Sequence, residues 1–151
     1  MQKISVNKKA THNYKITAKY EAGIVLTGTE VKSLRVNTGS IKEAYIIEKN
    51  KELWLNNCHI KKFSSSNEKN YNPLKVRKIL VKKKERNKLI VATKKEGMSI
   101  VPLTLYFNSK GLAKLSIGIG IGKKKYDKRL AIKDKEWKIK KQRLEKNKKY
   151  N

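Results

Sequence analysis

Two stretches of strict alternation dominate the second half of the chain. Val101, Leu103, Leu105 and Phe107 occupy every second position, as do Leu115, Ile117, Ile119 and Ile121. Each set gives a strand one apolar face, and Asn108-Ser109-Lys110-Gly111 between them predicts a hairpin. Tyr14 to Tyr20 alternates similarly. Tyr20 to Leu26 reads as the end of that strand and the start of another, broken at Glu21-Ala22-Gly23. Ala44 to Glu48 and Leu53 to Leu55 predict a second hairpin around Lys49-Asn50-Lys51. Val76 to Val81 reads as a strand, followed by a lysine-rich helix from about Lys83 to Lys95 that ends at Gly97.

Thr27 lies three residues before Glu30, the spacing of a capping box, and so predicts a short helix. Val31 and Leu34 share its inner face, Lys32 and Arg35 point outward, and Asn37-Thr38-Gly39 stops it. This strand, turn and helix place Glu21, Lys32, Ser33 and Arg35 near one another. Ser64 to Asn72 has the composition of a long exposed loop. Met1 to Thr11 reads as a mobile basic arm that enters the fold at His12-Asn13-Tyr14. The whole is mainly β, with six or seven mostly antiparallel strands and two short helices. A closed or partly closed barrel would remove the exposed edges.

Charge narrows the function. The 151 residues suffice for one domain with a modest core. They carry 39 basic and 12 acidic side chains, a net charge of +27, whose self-repulsion points to a polyanionic partner. Abundant lysine and asparagine also fit an AT-rich genome, but that does not explain the shortage of acids. A membrane surface is the competing polyanion. No long apolar run or signal-type segment favours it, so no membrane is expected. Cys58 is the only cysteine, which fits a reducing, cytoplasmic setting, and it reads as a small buried side chain. After Gly122 the character changes: residues 123–151 hold fourteen basic and four acidic side chains, net +10. Leu130, Trp137 and Leu144 form a thin seam there, with Ile132 and Ile139 nearly opposite. That is too little apolar surface to fold alone, so residues 1–122 form a body and 123–151 a tail that becomes helical against RNA.

No catalytic constellation emerges. Gly118-Ile-Gly-Ile-Gly122 lacks the helix and acidic residue of a dinucleotide loop; its glycines mark a barrel bend or a close approach by RNA or a helix. Cys58, His59 and His12 lack metal-ligand spacing, and the glutamates are scattered singly. A binding protein with no cofactor and no metal is expected. Tyr14, Tyr20, Tyr71, Tyr126 and Trp137 could stack on bases. For Tyr20 and Trp54 packing is the better reading; for Tyr126, in a polar run, stacking is. Glu21 has two open readings: an ion pair with a nearby lysine, or an acceptor for base amino groups.

The stretch Tyr20-Glu-Ala-Gly-Ile-Val-Leu-Thr-Gly-Thr-Glu-Val-Lys-Ser-Leu-Arg35 resembles the SsrA-binding protein (SmpB) family. So does Gly122-Lys-Lys-Lys-Tyr-Asp-Lys-Arg129. Between them Glu52-Leu-Trp-Leu-Asn56, Asn72-Pro73, Arg77-Lys78 and Val101 to Phe107 follow in the family's order. The likeness spans roughly Asn7 to Leu144. It implies an OB-like barrel with flanking helices, and an RNA adaptor that is not an enzyme. Such a protein binds the tRNA-like domain of transfer-messenger RNA (tmRNA), one to one as a monomer, and brings it to stalled ribosomes for trans-translation. The implied RNA contacts are Asn7, Lys8, His12, Tyr14, Glu21, Gly23, Lys32, Ser33 and Arg35. The implied ribosomal contacts of the tail, in the decoding region and the empty mRNA channel, are Gly122, Lys123, Lys124, Tyr126, Asp127, Lys128 and Arg129, then Trp137, Lys141 and Arg143. Arg86 stands where the family usually has a branched aliphatic residue, which implies an electrostatic contact instead. The alternative from another class is a general basic protein that holds polyanions by charge alone.

Overall fold

A computed structural model of the chain describes residues 1–36 and 38–150. The chain opens with β1 (Gln2–Val6), α1 (Lys8–Asn13), β2 (Tyr14–Ile24), α2 (Gly28–Arg35) and β3 (Gly39–Ser40). The hairpin β4 (Tyr45–Lys49) and β5 (Glu52–Asn56) follows, then β6 (His59–Ile60), β7 (Arg77–Leu80) and α3 (Lys83–Thr93). A long hairpin, β8 (Met98–Phe107) and β9 (Ala113–Gly122), leads into α4 (Lys123–Tyr150). Seven strands form one antiparallel sheet in the order β1-β8-β9-β2-β7-β5-β4, and β3 pairs with β6.

Both predicted hairpins form, each closed by local chemistry. Lys49 pairs with Glu52, leaving Asn50 and Lys51 at φ 53° and 61°, the two left-handed residues of a type I′ turn. In the other, Asn108 Oδ1 accepts from the backbone N–H groups of Lys110 and Leu112, and Gly111 takes φ 77°. The capping box at Thr27 and Glu30 is present in both directions. Leu34 is buried and Val31 half-buried on the inner face of α2, while Lys32 and Arg35 are exposed. Of the stop predicted for this helix, Asn37 lies outside the described residues. Ser64 to Asn72 forms the expected irregular, largely exposed segment.

Several expectations need correction. The first residues are not a mobile arm. Gln2 to Val6 pairs with the end of β8, and Ile4 packs on the core. The strand is not broken at Glu21-Ala22-Gly23 either, because β2 pairs with β9 from Tyr14 to Gly23 and Ala22 is buried beneath it. The lysine-rich helix stops at Thr93, and Gly97, at φ 77°, belongs to the turn into β8. The described residues hold nine strands and four helices, more than the pattern predicts. β4 packs beside β8, but the sheet ends β1 and β4 are not hydrogen-bonded to each other, so the barrel is only partly closed.

A bulge divides the core. Pro102 pairs with Ile117 and Thr104 with Ser116, so Leu103 is an extra residue and the alternation of β8 changes face there. Leu105 and Phe107 join Leu34, Leu53, Leu55, Leu115, Ile117 and Ile119 in the main core. Val101 and Leu103 instead pack with Ala10, Tyr14 and Ile16, where α1 covers the sheet. That second cluster explains the glycine stripe. A Cβ at Gly120 would lie 2.8 Å from Tyr14 Cβ, and one at Gly118 would lie 3.0 Å from both Ile16 and Leu103 side chains. The close approach is therefore made by the protein's own side chains.

Candidate nucleic-acid interface

Strand register places charged and aromatic side chains in rows on the outer face of the sheet. Lys3 on β1 lies opposite Tyr106 on β8, which lies opposite Lys114 on β9, which lies opposite Gly23 on β2. Glu21, two residues before Gly23 on the same strand, faces Ser116. A pocket of about 430 Å³ opens there, lined by Glu21, Gly23, Leu80, Val81, Lys82, Glu85 and Lys114. Glu21 is exposed, yet it forms no ion pair among the described residues. Its Oε2 accepts from the Tyr106 hydroxyl at 2.6 Å. Burial, and next the hydrogen bond to Glu21, push the Tyr106 phenol up to about 12, so it remains a donor.

The segment Asn7 to Tyr14 brings further predicted contacts to the surface. Lys8 and His12 are exposed. Asn7 is buried. It caps α1 by accepting from Ala10 N and donates Nδ2 to Pro102 O at 2.9 Å, so it fixes the helix that displays its neighbours. Tyr14 lies against Gly120 and contributes to a pocket of about 440 Å³ with His12, Asn13, Gly122, Lys123 and Lys124. The start of α4 thus meets α1, and residues from the two predicted sets share one basic, aromatic site. Sequence separation of more than a hundred residues hides this juxtaposition.

On α2 the predicted group divides. Ser33 is buried, donating its hydroxyl to Lys61 O at 2.5 Å and accepting Thr38 Oγ1 on its carbonyl at 2.7 Å. Its side chain anchors residue 61, on the opposite side of the helix from exposed Lys32 and Arg35. Arg35 lines a pocket with Met1, Gln2 and the Asn108 to Gly111 turn, apart from the one that Glu21 lines. No hydrogen bond or ion pair joins Glu21, Lys32, Ser33 and Arg35 among the described residues, so they do not form the single cluster that the sequence suggests.

Beneath α2 lies a buried ion pair. Arg77 Nε donates to Glu30 Oε2, with the two side chains 1% and 2% exposed. Arg77 also donates to Cys58 O at 2.6 Å and Pro73 O at 3.2 Å, and Glu30 Oε1 accepts from Thr27 N at 2.9 Å. Every branch of the pair is satisfied within the protein. Cys58 is buried beside it, and burial pushes its thiol up to about 11. Tyr71, whose phenol burial also raises, donates to Ile60 O at 2.5 Å and pins the long loop. The capping spacing shows Glu30, but nothing local joins it to an arginine 47 residues away. Arg86 turns inward too: its Nη1 donates to Glu52 Oε1 at 3.3 Å.

The tail is one helix that begins at the residue after β9. Asp127, Lys128, Arg129, Lys141 and Arg143 are exposed, Tyr126 is half-buried, and Trp137 is 61% exposed. Leu130, Ile132, Ile139 and Leu144 are exposed as well, so neither apolar seam is packed on the body. Arg129 Nη2 donates to Glu96 O at 2.7 Å, and Gly122 N to Gly97 O at 3.2 Å, tying the helix start to the turn before β8.

A family model described as SmpB protein matches residues 4–147, nearly the entire chain. This chain belongs to the SmpB family. It is 50% identical over 147 residues to the SsrA-binding protein of Wolbachia pipientis subsp. Culex pipiens (strain wPip), covering 97% of this chain and 99% of that protein. To the SsrA-binding protein of Anaplasma marginale (strain Florida) it is 45% identical over 144 residues, 95% of this chain and 97% of that one. A solved structure described as "tmRNA-SmpB: a journey to the center of the bacterial ribosome" contains a chain that matches with a TM-score of 0.63 and 38% identity. The match covers 78% of this chain and 82% of that one. In this SmpB-family chain, no group of three or more His, Cys, Asp or Glu among the described residues could hold a metal ion. No described helix is long and apolar enough to cross a membrane.

Proposed function

We propose that this SmpB-family protein binds the tRNA-like domain of tmRNA and delivers it to stalled ribosomes for trans-translation, acting by binding alone. The observation that carries the reading is the match to proteins named SsrA-binding over nearly their full length. Physical chemistry supports it. Exposed Lys8, His12, Lys32 and Arg35 suit phosphate contacts, which supply affinity without selectivity. Glu21 would repel phosphate. A carboxylate with no lysine partner among the described residues is suited to accept from base amino groups. One protein binds one RNA in this reading, with Asn7 and Ser33 shaping the surface from beneath.

The division of labour is part of the proposal. Residues 1–122 grip the RNA. The tail, 123–151, enters the decoding region and the empty mRNA channel, where rRNA neutralises its lysines and the helix becomes fully populated. Gly122, Lys123, Lys124, Tyr126, Asp127, Lys128 and Arg129 act at the mouth, and Trp137, Lys141 and Arg143 further in. A helix whose leucines, isoleucines and tryptophan are all exposed gains little from the body, which leaves the surrounding RNA to stabilise it.

The test is a competition assay at roughly 200 mM salt, where charge-only binding is weakened. Wild type should retain the tRNA-like domain against excess bulk tRNA, and Glu21→Gln should lose that preference. Equal competition by bulk tRNA, indifferent to Glu21, would leave a generic polyanion binder.

A further inference from the structure

We propose that Tyr106 is a positioning residue for RNA selection: its hydroxyl, 2.6 Å from Glu21 Oε2, holds the carboxylate with Oε1 presented to a base amino group. The inference rests on the reading of Glu21 as a base acceptor. Three observations carry it. In a chain with 39 basic side chains, the ordinary fate of an exposed glutamate is an ion pair with lysine. Glu21 has none among the described residues, although Lys114 and Lys82 line the same pocket. Its partner is a neutral donor, so the negative charge is held in place without being cancelled.

The second observation is rigidity. Tyr106 is 7% exposed and sits in the ladder between Lys3 and Lys114, so its hydroxyl is aimed by a packed ring. A glutamate free on a surface loses rotamer freedom when it binds; one already bonded has lost part of it beforehand. The third is stoichiometry. A carboxylate offers about four lone-pair directions. Tyr106 uses one on Oε2, and Oε1 has no partner among the described residues while its residue lines an open pocket. The phenol, pushed up to about 12, remains a hydrogen-bond donor at neutral pH.

Full-length Tyr106→Phe removes the donor and keeps the ring. Its affinity for the tRNA-like domain should fall about three- to tenfold, the value of one hydrogen bond. Affinity for bulk tRNA and the slope of binding against salt should not move, since no phosphate contact is lost. In the double variant with Glu21→Gln, discrimination should be no worse than in Glu21→Gln alone. Additive losses would mean that Tyr106 touches RNA itself, and would overturn the positioning role. So would wild-type discrimination by Tyr106→Phe beside a defective Glu21→Gln. Indifference of both variants would overturn the Glu21 reading together with this one.

Discussion

Arg77 and Glu30 are the residues whose removal should cost the body most. Each is buried with every polar branch bonded, so truncating one strands the other as an unpaired charge. Arg77→Ala or Glu30→Ala should each destabilise the protein by about 3–5 kcal/mol in urea unfolding. Glu30→Ala additionally removes one half of the capping box. At this scale the sequence is legible where partners are near in the chain. Thr27 and Glu30 declare themselves by spacing. Ser33 and Asn7 do not, because a motif shows which residue stands at a position and not which way it points. Tyr106 escaped notice because its partner lies 85 residues away, on a strand two removed in the sheet order.

Among the elements, β9 bears the most constraint. Its outer face is lined by Gly118 and Gly120 because Tyr14, Ile16 and Leu103 occupy the space that side chains would need. Gly120→Ala must push on Tyr14 at its Cβ, which cannot swing aside. The expected cost is about 1–3 kcal/mol in thermal or urea unfolding, with weaker binding of the tRNA-like domain as the Tyr14 ring shifts. Gly23→Ala makes ordinary contacts of 3.5 Å and longer with Leu80, so its effect should appear in RNA binding and not in stability. Period-two patterning revealed both hairpins. It missed β1 because a five-residue edge strand with mostly exposed positions has too little apolar rhythm to stand out. It misjudged β8 because Leu103 continues the alternation in sequence while the bulge reverses it in space.

For the molecule as a whole, charge announced a polyanion and the shift after Gly122 announced two parts. What charge could not show is that the parts meet: Lys123 and Lys124 complete a pocket with His12 and Tyr14. Deleting Tyr126 to Asn151 leaves both lysines in place. It should therefore spare binding of the tRNA-like domain in a filter or gel assay and abolish peptide tagging on stalled ribosomes. Loss of both would refute the division into body and tail. The joint itself has no linker, since α4 starts at the residue after β9. The helix is consequently geared to the sheet. One residue gained or lost at Gly122 to Lys123 would turn Tyr126, Leu130 and Trp137 about 100° around the helix axis relative to the sheet. Length changes should be tolerated in the exposed loop from Ser64 to Asn70 and should be disruptive at this joint.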